Sequence, residues 1–576
     1  MEFSRNTLID TLLTLVIIGG IILGGAKNYG FFIIPILALI ALIVIKRIRR
    51  IRFIKSEKQR LREGWGKEGN GKRIIGDIRK LFDFLPREKT SFHIDEITWR
   101  DLNMDSVFSK IDHSQSLAGM NYLYNLLRKP LFNKEELVKR NTIINYFKDN
   151  RDLSIDVQWP LSRLGKEEGT RIFDFFKQGL EISTDKLNFY RILSILPFLS
   201  LALFAINPQM AISGFMVVLI VNSTIYQNNK NKIFYELEAF KYLGSMTNCL
   251  HSINKIKDFN IGDYKNKIAS LLRDTAPIGR NISKLRSAAF DASDIQVIKD
   301  FLNMITLRET IIFYKTIKLI DNNRENFIKI HCLLGEIDSY IAIASYRESL
   351  NYYCQPDLLE DNSPVTIEAK NLYHPLLDKP VPYSLSQRNL GGLITGSNAS
   401  GKSTFLRTIG INALLSQTFY MALAESYRGN YFKLLTSIGM ADSIEEGDSY
   451  FMAEAKSLKR IIDGIGEERP VLCILDEIFR GTNTLERINA AKEVLDYMAE
   501  RNVLIFAATH DLELTSMVDG KLINYHFQEE IKEKDIEFDY ILRKGPCTSR
   551  NAIAILRYLD YPMEIYVNAE KRVLES

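Results

Sequence analysis

Between Gly396 and Thr404 the chain reads Gly396-Ser397-Asn398-Ala399-Ser400-Gly401-Lys402-Ser403-Thr404, a glycine-bracketed turn closed by a lysine and two hydroxyls. Glycines at its ends let backbone N–H groups curl around phosphate oxygens, and a helix starting at the lysine points its positive end at them. Lys402 is placed to reach the β- and γ-phosphates, and Ser403 to set its hydroxyl on Mg²⁺. The strand-like Gly392-Leu393-Ile394-Thr395 before the turn and the helix-forming Thr404-Phe405-Leu406-Arg407 after it complete a Walker A pattern, which calls for ATP and Mg²⁺. Val471-Leu472-Cys473-Ile474-Leu475 then runs into Asp476-Glu477, the Walker B form. Asp476 is expected to hold Mg²⁺ with Ser403, and Glu477 to orient or deprotonate the attacking water. A third apolar run, Val503 to Ala508, ends at Thr509-His510-Asp511. A lone histidine is usually structural. One at the C-terminal end of a core strand, in register with the other two motifs, is a candidate to touch the γ-phosphate.

Such a site needs a parallel sheet, and three short aliphatic runs ending in the motifs predict an α/β P-loop (ABC-type) ATPase domain over 366–576. The rest of the 576-residue chain reads as helical. From Gly71 to Lys186 and from Gln227 to about Glu360, apolar residues recur at helical spacing, Phe234, Leu237, Phe240 and Leu243 forming one such stripe. This predicts an α-helical core or lever domain in two parts, 63–186 and 229–365.

Four apolar runs stand apart. Leu8–Gly25 and Phe31–Ile45, joined by five residues, predict a first transmembrane hairpin, assigned with its basic flank to 1–62. Ile192–Ile206 and Ala211–Tyr226, joined by Asn207-Pro208-Gln209-Met210, predict a second within 187–228. Runs this short are also compatible with buried soluble helices, and the first with a cleaved signal peptide, although a second apolar run follows it. Lys46 to Arg62 holds nine basic residues against one acid, more than the whole chain's net +5, so the remainder is slightly acidic. Beside an apolar hairpin this cluster predicts cytoplasmic ends and an anionic-lipid contact, with DNA as the alternative ligand. The expected location is thus a multi-pass membrane protein with a cytoplasmic ATPase domain. Five cysteines without a CxxC pair argue against a zinc site or a disulfide framework.

The motif order is similar to that of the MutS family, whose ATPases carry G-P-N-M-G-G-K-S-T, S-T-F-M-x-E, D-E-x-G-R-G-T-S-T and a T-H switch. Here the corresponding stretches are Gly396–Thr404, Ser449-Tyr450-Phe451-Met452-Ala453-Glu454, Asp476-Glu477-Ile478-Phe479-Arg480-Gly481-Thr482-Asn483-Thr484 and Thr509-His510. Tyr373-His374-Pro375-Leu376 and Gly545–Ile553 resemble the family's flanking stretches. Asp112 to Gly119, with Leu126-Leu127-Arg128-Lys129-Pro130, resembles the start of its core domain. The resemblance implies ATP hydrolysis by Lys402, Glu477 and His510, head-to-tail homodimers in which Ser449 completes the partner's site, and a loop at Arg480–Thr482 linking the two sites. It also implies a DNA-binding clamp for mismatched or branched DNA.

There are departures. Ser397, Ala399 and Ser400 replace the usual Pro, Met and Gly, Phe479 replaces a glycine, and none of these removes a catalytic group. Hairpins stand where the family has its N-terminal mismatch-reading domain, and little chain follows Pro562 for its helix-turn-helix end, which argues against direct mismatch recognition. Phe234-Tyr235-Glu236 resembles the family's Phe-x-Glu wedge but lies within a helical stripe, where core and surface positions explain it. The alternative is a mechanochemical ABC-type ATPase acting on a membrane or protein partner without DNA. A solute transporter fits less well, since the spans carry no charge beyond Asp10 and there is no Leu-Ser-Gly-Gly-Gln signature.

Overall fold

The computed structural model describes residues 11–20, 33–67, 75–86, 92–166, 172–179, 183–289, 301–360, 363–397, 400–439, 450–532, 535–547 and 561–575, together with Ile553 and Leu556. It is mostly helical to residue 350 and carries its sheets beyond that point.

A four-stranded sheet contains β1 (Asp357–Leu359), β2 (Thr366–Leu372) and β3 (Tyr383–Arg388). Next come β4 (Gly391–Thr395), β5 (Ser426–Asn430), β6 (Lys433–Ile438), β7 (Val471–Asp476) and β8 (Val503–Ala508). The last are β9 (Leu522–His526), β10 (Glu529–Lys532), β11 (Asp535–Phe538) and β12 (Arg543–Lys544). The four-stranded sheet has the order β1-β5-β2-β3, and the main sheet the order β12-β9-β4-β8-β7-β6. In the main sheet all pairings are parallel except β12–β9.

Its central strands are covered on both faces, which is why they read as unbroken apolar runs. Leu472, Ile474, Leu504 and Phe506 pack with Phe405 and Ile409 of helix Lys402–Thr418, in a core that continues into the helical region. Cys473, Leu475, Ile505 and Ala507 face Leu458 and Ile461 of helix Tyr450–Gly464, and Ile488 and Leu495 of helix Thr484–Ala499. The period of two is present in the sequence but invisible to a polarity count, because both sides are dry.

The helical region and the main sheet are joined through residues 94–102. Asp95 caps helix Glu96–Asp101 by accepting from the Thr98 backbone N–H. Asp101, 4% exposed, accepts from the Thr436 hydroxyl and the Ile438 N–H, both at 2.8 Å, at the end of the edge strand β6. Arg407 of the helix after the phosphate loop donates to the Asp101 carbonyl at 2.8 Å. The stretch Asp112–Gly119 is a knot as well. Buried Asp338 accepts from the Gln115 and Ser116 N–H groups and the Ser116 hydroxyl, and Ser116 caps helix Leu117–Arg128.

His331 and His374 are buried, and burial holds both well below the ordinary imidazole value, at about 4; for His374 the charges of Arg407 and Lys110 add to this. A depressed folded value means that stability is present above about 6.5 and lost as the pH falls through about 4. The thermal midpoint is therefore expected to drop between pH 6.5 and 4. His331→Gln should flatten that drop, by at most about 3 kcal/mol. An unchanged slope in calorimetry would rule the contribution out.

Among the described residues, two helices are long and apolar enough to cross a membrane, Leu187–Ala205 and Pro208–Lys230, with mean hydropathies of 1.6 and 1.5. Asn207 makes the turn between them by accepting from the Gln209 and Met210 N–H groups, with Pro208 at the first helical position. The first expected hairpin is described in part, as the shorter apolar helix Thr11–Gly20 and the helix Ile33–Gly64, and its link lies outside the described residues. The expected boundaries at 62 and 228 fall within continuous helices. Pro208–Asn254 is a single helix of 47 residues running from the apolar span into the helical core, about 70 Å at 1.5 Å per residue. It contains Phe234-Tyr235-Glu236, whose side chains lie outside the described set. None of the five cysteines is in a disulfide; Cys249 and Cys473 are buried, the others half-buried.

Candidate functional site

Three parallel strands deliver the expected chemistry to one edge of the main sheet. β4 leads into the phosphate loop, β7 ends at Asp476, and β8 ends just before Thr509 and His510. Backbone bonds fix the register at these ends, with Glu477 N–H donating to the Ala508 carbonyl and Thr509 N–H to the Ile394 carbonyl, each at 3.0 Å.

The phosphate loop needs its glycines. Gly396 and Gly401 have φ of 141° and 105°, conformations that side-chain-bearing residues rarely adopt. A Cβ on Gly401 would also come within 3.1 Å of the Tyr540 ring. Ser400 donates back to the Ser397 carbonyl at 2.8 Å, closing the turn from within. Lys402, 3% exposed, donates to the Gly396 and Ser397 carbonyls at 2.7 and 2.8 Å. Its ammonium thus rests on the loop's own carbonyls, and phosphate oxygens would have to replace them. Thr404 occupies the first turn of the helix and lines the cavity described below. Asn398, Ala399 and Ser449 lie outside the described residues.

Ser403 donates its hydroxyl to Asp476 Oδ2 at 2.5 Å, joining the two residues expected to hold the metal. Asp476 Oδ1 is buried and has no hydrogen-bond partner. A buried carboxylate oxygen left without a donor is costly. The pair therefore suits Mg²⁺, a hard cation that takes a carboxylate and a hydroxyl and keeps waters for its other positions.

Glu477 lies beside this pair and is heavily engaged. His510 Nε2 is 2.8 Å from its Oε1, and the Arg480 guanidinium forms an ion pair with its Oε2. Burial alone would raise the Glu477 carboxyl, but the His510 hydrogen bond and charge, together with Arg480, outweigh it and hold the group below the ordinary carboxylate value. Glu477 thus stays ionised in mild acid. His510 is in turn set by its neighbour, since Asp511 is gripped bidentately by Arg487 at 2.6 and 2.9 Å.

The backbone here is unusual. Glu477 and Phe479 have φ of 55° and 61°, the left-handed region that costs an ordinary residue roughly 1–2 kcal/mol. Phe479 stands where the family pattern has glycine, and no sequence signal short of that comparison marks it.

Several residues at the site escape a motif search. A cavity of about 390 Å³ opens beside Gly401–Thr404, lined by Leu377, Lys379, Val381, Tyr383 and Tyr540. Tyr383 is buried edge-on to Phe405, and exposed Tyr540 stacks on Phe538. Two aromatics beside the phosphate loop suit a nucleobase. They come from β3 and from the stretch after β11, more than 150 residues apart, so proximity in space was their only signal. Glu454, the last residue of the Ser449–Glu454 stretch, is buried and accepts from the Gly481 and Arg480 backbone N–H groups. The Arg480–Glu477 pair is a second contact that spacing did not predict. Among the described residues there is no His, Cys, Asp and Glu group suited to a further metal.

A glycine-bounded loop after β4, a histidine just past the end of the adjoining strand β8 and an acid pair at the end of β7 beyond it are the arrangement of a nucleotide-binding domain of the P-loop class. Residues 392–575 match the family described as MutS domain V. Curated relatives carry the name DNA mismatch repair protein MutS. The Rickettsia bellii protein is 26% identical over 532 residues, covering 82% of this chain and 59% of the relative. The Aquifex pyrophilus protein is 30% identical over 254 residues, covering 42% and 29%. The Thermus aquaticus protein is 28% identical over 270 residues, covering 46% and 32%. The chain is thus similar to MutS proteins, with the MutS domain V match lying in its C-terminal third, and it spans between about three-tenths and six-tenths of the length of these relatives.

Proposed function

We propose that this protein binds and hydrolyses ATP with Mg²⁺ at a head-to-tail homodimer interface, and that hydrolysis drives a DNA clamp tethered to a membrane. The observation that carries the ATPase reading is the convergence of Lys402, Ser403, Asp476, Glu477 and His510 on one sheet edge, with an unpartnered Asp476 oxygen between them. Lys402 exchanges its loop carbonyls for phosphate oxygens and neutralises them. Ser403 and Asp476 would hold Mg²⁺, which would supply charge neutralisation on the phosphates. Glu477 would orient the attacking water and take its proton, and His510, whose Nε2 lies 2.8 Å from Glu477, would steady that carboxylate and touch the γ-phosphate.

Membrane attachment is supported by the surface of the two apolar helices. Ile192, Ile195, Phe198, Val217 and Ile220 are each more than half exposed, and Ile206 is 82% exposed. A continuous outward apolar face of this size needs a partner, and a bilayer is the partner that length and hydropathy fit. Between the helices, Ala211, Ser200 and Gly214 allow close approach, and Asn222 donates to the Leu193 and Ile305 carbonyls. The basic residues nearest the span in helix Ile33–Gly64, Lys46 to Arg52, would then face anionic headgroups, whereas Lys58 and Arg62 further along pair with Asp156 and Asp152.

DNA as the ligand rests on the family. A second reading, a mechanochemical ATPase pulling on a membrane or protein partner, is favoured by one observation, the 47-residue helix that is at once apolar span and core element. The experiment that separates them uses detergent-solubilised Glu477→Gln protein with homoduplex, mismatched, branched and single-stranded DNA at near-physiological salt. Nucleotide-dependent binding is expected, strongest for one of the structured DNAs. Binding that ignores nucleotide and disappears with the basic stretch 46–62 would overturn the DNA reading and leave the second.

A further inference from the structure

Two left-handed residues in three positions, Glu477 and Phe479, make a loop that its own sequence disfavours. Such a loop persists only where its surroundings over-determine it. The surroundings that do so are the first turns of helix Tyr450–Gly464, at two points. The Phe451 and Phe479 rings lie 5.6 Å apart, and Gly481 is pressed so close to Phe451 that a Cβ there would sit 3.1 Å from its backbone nitrogen. One turn further on, the Glu454 carboxylate, 6% exposed, accepts from the Arg480 and Gly481 N–H groups. Its Oε2 is buried without a hydrogen-bond partner and borders a cavity of about 10 Å³ shared with Asp476 and Glu477, room for a single water.

The geometry points to Glu454 and Phe479 as positioning residues for the catalytic Glu477, acting through the loop 477–481. Held by these two contacts, the loop presents the Arg480 guanidinium and the Glu477 carboxylate to each other, and so sets the aim of the base. Helix Tyr450–Gly464 follows directly on Ser449, which the proposed dimer places in the partner's site. On that reading the same helix is the part through which nucleotide at one site is felt by Glu477 at the other. This last step rests on the proposed pairing, whereas the positioning role does not.

The test is steady-state ATP hydrolysis by the full chain in detergent across pH, for wild type, Glu454→Ala, Glu454→Gln, Phe479→Gly and Phe479→Leu, with a thermal midpoint for each. Glu454→Ala and Phe479→Gly are expected to lower kcat about tenfold or more, as misplacing a catalytic group does, with KM for ATP within about twofold. Glu454→Gln keeps one acceptor for the loop N–H groups and should recover most of the rate, and Phe479→Leu should fall between. Wild-type rates in both Glu454→Ala and Phe479→Gly would overturn the inference. So would a loss of rate that follows the thermal midpoint, changes KM as much as kcat and is not recovered in Glu454→Gln, which is the signature of a structural role alone. A wild-type chain that does not hydrolyse ATP would overturn the ATPase reading itself, and this inference with it.

Discussion

Glu477→Gln is expected to retain ATP while hydrolysing it about 10²–10⁴-fold more slowly, the range for loss of a general base. The substitution keeps the size of the side chain and its place between His510 and Arg480, but removes the negative charge that both of them face. Lys402, Ser403 and Asp476 are untouched, so nucleotide and Mg²⁺ should bind as before. The sign of the pH effect follows from the depressed Glu477 value. In the wild type the carboxylate stays ionised below the ordinary carboxylate range, so the acid limb of the rate profile lies low, and the variant should lack that limb. Single-turnover hydrolysis beside equilibrium nucleotide binding separates the two quantities. A variant hydrolysing within threefold of wild type would remove Glu477 from the role of base. A variant that no longer binds ATP would mean that its charge organises the site rather than the chemistry.

Arg128→Ala should damage the fold strongly, costing on the order of 2–5 kcal/mol through the cavity and the lost buried hydrogen bonds. Arg128 is fully buried. Its guanidinium lies 4.2 Å from the centre of the Trp99 ring, donates to the Ile94 carbonyl at 2.9 Å and to Glu96 at 3.0 Å, and reaches the Tyr124 hydroxyl. Truncation leaves a cavity and a buried carbonyl without its donor, while the half-exposed Glu96 keeps its ion pair with Arg79. The loss falls on residues 94–101, and Asp101 at the end of that stretch is the contact that holds the edge strand β6. Reduced stability should therefore be accompanied by weaker nucleotide binding, although Arg128 is remote from the phosphate loop in sequence. Arg128→Lys should recover only part of the loss, because an ammonium cannot reproduce the planar stacking and the fork of donors. Calorimetry of the detergent-solubilised chain provides the check, and a change below about 1 kcal/mol would show that Trp99 and Tyr124 hold the stretch without it.

The nucleotide motifs were legible in the sequence because each is local. A phosphate loop is one turn between one strand and one helix, and Asp476 and Glu477 follow directly on an aliphatic run. His510 could be read as a site residue because β4, β7 and β8 are parallel neighbours, so the ends of their apolar runs must share one edge. The apolar runs at 192–206 and 211–226 were legible for a similar reason, since length and hydropathy are properties of a segment. What the sequence left open is long-range. Tyr383 and Tyr540 meet beside Gly401 only because the chain returns after β11, and Glu454 meets Arg480 and Gly481 only because helix Tyr450–Gly464 packs against the end of β7. The left-handed Phe479 carries no local mark either, since its conformation is imposed by neighbours against its own preference. The continuity of Pro208–Asn254 was hidden because a change from apolar to amphipathic composition looks like a boundary, while hydrogen bonding along a helix takes no account of it. Local chemistry was therefore determined by the sequence itself. The contacts that aim it, and the helices that join it to the rest of the chain, were decided by packing between residues tens to hundreds of positions apart.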